Sequence, residues 1–251
     1  MFEGKAVFDK KPEKPRVLFY ADYLKGDFGK KIYKRYVRKI EELPRRSSIL
    51  IPYLKDAIRL QNDEVKGSNP LTLITINSIL EEEDCRIPTL CELEKIIKQS
   101  ALYLPYGYVE TAIAVIKKDK DSTIEHLLEQ LEERKIKPKF PFMISLKDFE
   151  SWDFPPLRLY LKKELRSSDV SYAPQFRPKN DKKVFSEQDE NGLPIFSKEG
   201  CRMYKHKKAI LPLTNSRNIG VIRRDCIGTI EYVPLHLGES SDGRIFVIKQ
   251  V

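Results

Sequence analysis

The sequence predicts an α+β fold: a helical N-terminal half followed by a strand-rich C-terminal half with a small antiparallel sheet. Three observations predict it. Apolar residues recur at helical spacing between Phe28 and Leu131, with Ser, Thr and Asp at positions that start helices. From Lys137 onward prolines become frequent, at Pro138, Pro141, Pro155, Pro156, Pro174 and Pro178. The tail then reads as short β-branched runs separated by turn residues. A chain of 251 residues holds one large domain or two of ordinary size, and the change in character divides it into 1–137 and 138–251.

Met1 to Pro15 is basic and proline-containing, an arm or loop, and the β-branched, aromatic run Arg16 to Tyr23 predicts a strand. A turn at Gly26 leads to Asp27, placed to cap the next helix. That helix, Phe28 to Leu43, carries Phe28, Ile32, Tyr36, Ile40 and Leu43 on one side, widened by Tyr33 and Val37. Its other half carries Lys30, Lys31, Lys34, Arg35, Arg38 and Lys39, and Arg45 and Arg46 follow once Pro44 has ended it. Glu41 and Glu42 sit at its C-terminal end, against the helix dipole.

Ser47 or Ser48 opens a second helix through about Gln61, with Leu50, Leu54 and Ile58 in line, and Gly67-Ser68-Asn69-Pro70 breaks it. A third runs from Leu71 to Glu83, with a strand as the alternative over Leu71 to Ile76. Thr89 with Glu92 is a capping box opening a helix to about Lys98, and a further helix is expected over Tyr108 to Lys118. Ser122 with Glu125 is a second capping box, opening a helix that buries Ile124, Leu127, Leu128 and Leu131. In the C-terminal half a short helix is expected over Leu157 to Arg166, after Pro155-Pro156. Tyr172 to Gly200 is loop-rich, with a turn at Glu190-Asn191-Gly192. Strands are expected at KAILPL, IGVIRR, CIGTIEYV and RIFVIKQV, the last after a turn at Ser241-Asp242-Gly243.

The formal net charge of +9 and a sequence pI of about 9.2 favour an anionic partner. The half-apolar, half-cationic helix is the clearest local sign of one, because phosphate contacts need Lys and Arg heads on one surface. A second basic region carries Arg177, Lys182 and Lys183, then Arg202, Lys205, Lys207, Lys208, Arg217, Arg223 and Arg224, with Tyr204 inside the run. Cations mixed with aromatic rings suit unpaired bases, which stack while phosphates meet the charges.

Leu71–Glu83, Thr89–Lys98 and Tyr108–Lys118 in series resemble, in pattern, the helices of winged-helix DNA-binding domains. The resemblance implies a third helix in the major groove, presenting Tyr106, Tyr108, Glu110, Thr111, Lys117 and Lys118. The long gap from Lys98 to Tyr106 and the few cations on that helix depart from the pattern, and an ordinary helical bundle is preferred.

Cys201, His206, Cys226 and His236 are zinc-ligand types, but their spacing matches no zinc knuckle and no metal is expected. His126, His206 and His236 are scattered, and no phosphate loop, nucleophile elbow or H-E-x-x-H stretch occurs. Asp22 with Asp27, or Glu231 with Glu239, are the carboxylate pairs a metal-dependent nuclease would use. No cofactor is expected. The four cysteines do not form a disulfide framework, no apolar run approaches the ~18 residues of a membrane span, and the N-terminus lacks a signal-peptide core, so a soluble, intracellular, cytoplasmic protein is expected.

The function these residues predict is non-catalytic binding of nucleic acid, DNA or RNA, through two basic surfaces, as a subunit of a larger nucleoprotein complex. A metal-dependent enzyme acting on nucleic acid is the alternative, and a scaffold docking on an acidic protein is the second.

Overall fold

The structure, a computed structural model, describes residues 2, 4–8, 17–88, 92, 108–110, 112–116, 122–140, 142–172, 203–206, 209–212, 221–222 and 240–250. Strands β1 (Lys5–Phe8) and β2 (Val17–Tyr23) pair antiparallel and lead into helix α1 (Gly26–Glu41). Gly26 takes φ +60, a conformation glycine adopts without strain, and donates its N–H to the Asp63 carbonyl at 2.7 Å. Gly29, one turn further, is buried so closely on the preceding turn that a Cβ would lie 3.0 Å from the carbonyl carbon and oxygen of Leu24.

A 3₁₀ turn (Arg45–Leu50) runs into helix α2 (Ile51–Asp56), and a hairpin follows, β3 (Arg59–Gln61) with β4 (Glu64–Ser68). Its two-residue turn, Asn62-Asp63, has φ of 52 and 59, the left-handed pair that matches strand twist. Helix α3 (Pro70–Glu81) starts on a capping box in which Asn69 Oδ1 accepts from the Thr72 N–H and Thr72 Oγ1 accepts from the Asn69 N–H, with Pro70 at the first helical position. Short strands β5 (Cys85–Arg86), β6 (Tyr108–Glu110) and β7 (Ile113–Ile116) precede helix α4 (Ser122–Glu133). Strands β8 (Phe142–Ser145), β9 (Phe149–Asp153), β10 (Arg158–Leu161), β11 (Val170–Tyr172), β12 (Met203–His206), β13 (Ala209–Pro212), β14 (Val221–Ile222) and β15 (Ser240–Gln250) complete the order.

The long last strand is the centre of the main sheet. Ile248 and Lys249 of β15 pair antiparallel with both β2 and β5, and Arg244 pairs with β4 and, parallel, with β6. Ile245, Phe246, Val247 and Ile248 are all fully buried, the near-continuous apolar run of a strand covered on both faces. Helices α1 and α3 pack on each other, α1 also on β4 and α3 on β5. Ile32, Tyr36 and Ile40 share one core with Leu73, Ile76 and Leu80. A second sheet has the order β11-β8-β7-β14, and α4 packs on the β9–β10 hairpin through β10. The α+β class holds, with the helices in the N-terminal half. Hydrogen bonds of β15 to β2 and β4, and of β8 to β7, cross the division expected at 137/138. Among the described residues no helix is long and apolar enough to cross a membrane.

Several elements differ from the sequence expectation. Where a helix is expected over Tyr108 to Lys118, the described residues form β6 and β7, and Ala112, Ala114 and Ile116, which share one face of an extended chain, are buried. With no third helix, the winged-helix pattern fails. Where a helix is expected over Leu157 to Arg166, the chain forms β10 (Arg158–Leu161) and a turn, with Leu157, Leu159 and Leu161 buried in alternation with exposed Arg158 and half-buried Tyr160. The second helix stops at Asp56, where the chain turns into the β3–β4 hairpin. Asp27 does not cap α1: Lys25 holds the capping position without a side-chain bond, and Asp27 lies in the first turn. Ser241-Asp242-Gly243 is not a turn but part of β15, where a register shift between Ser240 and Arg244 absorbs it. The strand CIGTIEYV and, apart from Glu92, the expected helix from Thr89 lie outside the described residues.

Candidate nucleic-acid interface

Helix α1 presents its cations in two stripes, each set by the i, i+4 spacing of a helix. Lys31, Arg35 and Lys39 face the acidic end of α3. Lys31 Nζ donates to Glu83 Oε2 at 2.6 Å, Arg35 Nη1 to Glu83 Oε1 at 2.7 Å, and Arg35 Nη2 bonds Glu82. Lys39 Nζ reaches Glu82 Oε1 at 3.2 Å and Ser78 Oγ at 3.4 Å. The partners run backwards along α3 as α1 advances, so the two helices lie antiparallel along this seam. Hydrogen bonds from Lys39 and Arg35 hold the Glu82 carboxyl below its ordinary range, and the bond from Lys31 does the same for Glu83.

The second stripe, Lys30, Lys34 and Arg38, turns toward solvent. Lys30 Nζ lies 2.9 Å from Asp63 Oδ1, which pushes its ammonium upward, and Arg38 Nε donates to Glu42 Oε1 at 2.7 Å. Glu42, expected to oppose the helix dipole, is thus held by Arg38, and Glu41 bonds Lys55. Lys34 is exposed and is the one cation of α1 without an acidic partner among the described residues. Arg45 is exposed, whereas Arg46 bonds Asp153 of β9. Six of the eight cations of the expected site therefore already pair with acids of the same chain, three of them in the seam between α1 and α3.

Of the second basic region, Tyr204 and Lys205 lie on β12, which forms a two-stranded antiparallel ribbon with β13 in the register Met203 to Pro212, Tyr204 to Leu211, Lys205 to Ile210 and His206 to Ala209. Lys207 and Lys208 stand between the two strands in sequence. Arg177, Lys182, Lys183, Arg202, Lys207, Lys208, Arg217, Arg223 and Arg224 lie outside the described residues. The charge inventory singles this region out. Lys198 to Arg224 holds eight Lys and Arg against one acid, Glu199, a net +7 of the chain's +9. The rest of the chain carries 38 Lys and Arg against 36 Asp and Glu and is nearly neutral.

Of the carboxylates weighed for catalysis, Asp22 is engaged otherwise. Asp22 Oδ1 accepts the Tyr23 N–H at 2.8 Å and lies 3.1 Å from Lys25 Nζ, and Asp27 points into solvent. Both border a pocket of about 380 Å³ with Phe2, Tyr23, Lys25, Gly26 and Phe28. Glu231 and Glu239, like Cys201, Cys226 and His236, lie outside the described residues. Among the described residues no group of three or more His, Cys, Asp or Glu is placed to hold a metal ion.

Sequence reasoning missed the acids that answer the helix: Asp63, Glu82, Glu83 and Asp153. The available signal was the run Glu81-Glu82-Glu83-Asp84 closing the third expected helix. Comparison of the chain with known protein families, curated proteins and solved structures finds no match.

Proposed function

We propose that this chain is a non-catalytic nucleic-acid-binding protein that grips phosphates chiefly through Lys198 to Arg224, with Lys34 and Arg45 as accessory contacts. The observation that carries this reading is the localisation of charge. Seven of the nine net positive charges fall within this one segment, around a β-ribbon, while the helical cations spend their charge on internal acids. A two-stranded ribbon is narrow enough to enter a major groove, and its aromatic Tyr204 also suits stacking on unpaired bases. Phosphate binding of this kind releases counterions, so the logarithm of affinity falls linearly with the logarithm of salt, by about 0.7 per phosphate contact on a single strand. The test replaces Lys205 of the ribbon together with Lys207 and Lys208, which follow it in sequence, K205Q/K207Q/K208Q, and titrates a labelled oligonucleotide at several salt concentrations. The expected result is weaker binding and a slope shallower by about 2. An affinity indifferent to salt, or a slope unchanged by the triple substitution, overturns the reading.

A further inference from the structure

We propose that Glu82 and Glu83 mask a polyanion-binding stripe on α1, and that nucleic acid engages Lys31, Arg35 and Lys39 by displacing the two carboxylates. The proposal rests on the nucleic-acid reading above and adds to it a second contact with a built-in competitor.

The stripe is regular. Residues four apart on one helix advance roughly 6 Å, so the three heads spread over roughly 12 Å of one edge. Two carboxylates serve these three cations: Glu83 takes Lys31 and one arm of Arg35, and Glu82 takes the other arm and Lys39. The seam is half open to water: Lys31 is 54% and Glu82 50% exposed, while Arg35 and Glu83 are 30% and 23% exposed. Exposed ion pairs add little to stability. The packing of α1 against α3 comes instead from the layer beneath, where Ile32, Tyr36 and Ile40 are buried with Ile76 and Leu80. Glu82 and Glu83 also lie past the end of α3, in the turn that follows it, so their side chains can swing away without unwinding a helical turn. A phosphate that replaces a carboxylate leaves each cation paired and releases the counterion the phosphate carried. Lys34 and Arg38, on the adjoining stripe, extend the exposed surface toward the same ligand.

The experiment compares the full chain with E82Q/E83Q for binding a fluorescent single-stranded oligonucleotide, read by anisotropy across a salt series. Removal of the competitor is expected to tighten binding roughly tenfold and to steepen the salt slope. Adding K31Q/R35Q/K39Q to E82Q/E83Q is expected to erase that gain. An affinity unchanged by E82Q/E83Q overturns the proposal, as does a gain that survives loss of the three cations, or an equal gain from the charge-matched E132Q/E133Q on the exposed end of α4, which would report only the change in net charge. The ribbon variant K205Q/K207Q/K208Q, measured alongside, separates the two readings. If it weakens binding while E82Q/E83Q changes nothing, the mask is rejected and the ribbon stands. If it changes nothing while the gain depends on Lys31, Arg35 and Lys39, the mask stands and the ribbon is rejected.

Discussion

The Tyr36 hydroxyl donates to the Leu54 carbonyl at 2.6 Å, joining the buried face of α1 to the last turn of α2. Carbonyls in the last turn of a helix have no partner within the helix, and this one is satisfied by a buried phenol. Burial pushes that phenol's ionisation strongly upward, so it stays a donor at all working pH values. Y36F removes the donor and leaves a buried carbonyl unpaired, at a cost of about 1–2 kcal/mol. Chemical denaturation should show a lower midpoint with an unchanged slope. An unchanged midpoint would mean that water replaces the phenol there.

Gly29 tests close approach in the opposite sense. Alanine is the better helix former by about 1 kcal/mol, so a permissive site would gain stability. Here the added Cβ would sit 3.0 Å from the Leu24 carbonyl, which accepts the Val65 N–H at 2.8 Å, while the Leu24 N–H donates to Ile245 at 2.8 Å. That peptide is fixed into the sheet and cannot yield cheaply. G29A should therefore be destabilising by about 1 kcal/mol, the overpacking cost exceeding the propensity gain. A thermal melt at or above that of the natural chain would show that the turn gives way.

Asp148 gives the fold a pH dependence. Its Oδ2 is buried without a hydrogen-bond partner among the described residues. Burial pushes the carboxyl from 3.8 up to about 6, with Asp169 and Glu81 adding to the rise and Lys147 and Lys162 opposing it. A carboxyl whose folded value is raised contributes stability below its unfolded value and loses it as pH rises through the folded one. The Asp148 contribution is thus full below about pH 4 and gone above about pH 6. D148N should raise stability at pH 8 by about 1–2 kcal/mol, after discounting for solvent that reaches the group, and change it little at pH 4. Melts at the two pH values check this, and an equal effect at both would remove the buried charge as the cause.

Much of the frame was legible because it is local. The amphipathic pattern of Phe28 to Ile40 marks α1, the helix expected from Ser122 coincides with α4, and Ile245 to Ile248 reads as a buried strand. Tyr108 to Ile116 was misread because short β-branched runs satisfy helical and strand periods alike, and only pairing with β15 and β8 decides between them. The site was harder for a different reason. Lys31 and Glu83 are 52 positions apart, and Arg46 and Asp153 are 107 apart. A cation's partner at that distance depends on which helices pack together, which no local pattern states. The helical face looked like an open polyanion site because its acids were counted in another element.

The two basic surfaces should therefore respond unequally to charge reversal. Lys34 is exposed and unpaired by any acid among the described residues, so K34E removes one accessory contact and leaves the seam intact. It should flatten the salt slope for a single strand by no more than about 0.7. K205E/K207E/K208E acts within the segment that holds most of the net charge and should flatten the slope by about 2 or more. K34E changes an exposed side chain, so its melt should match that of the natural chain. The reverse ranking, with Lys34 dominant, would place the principal grip on α1.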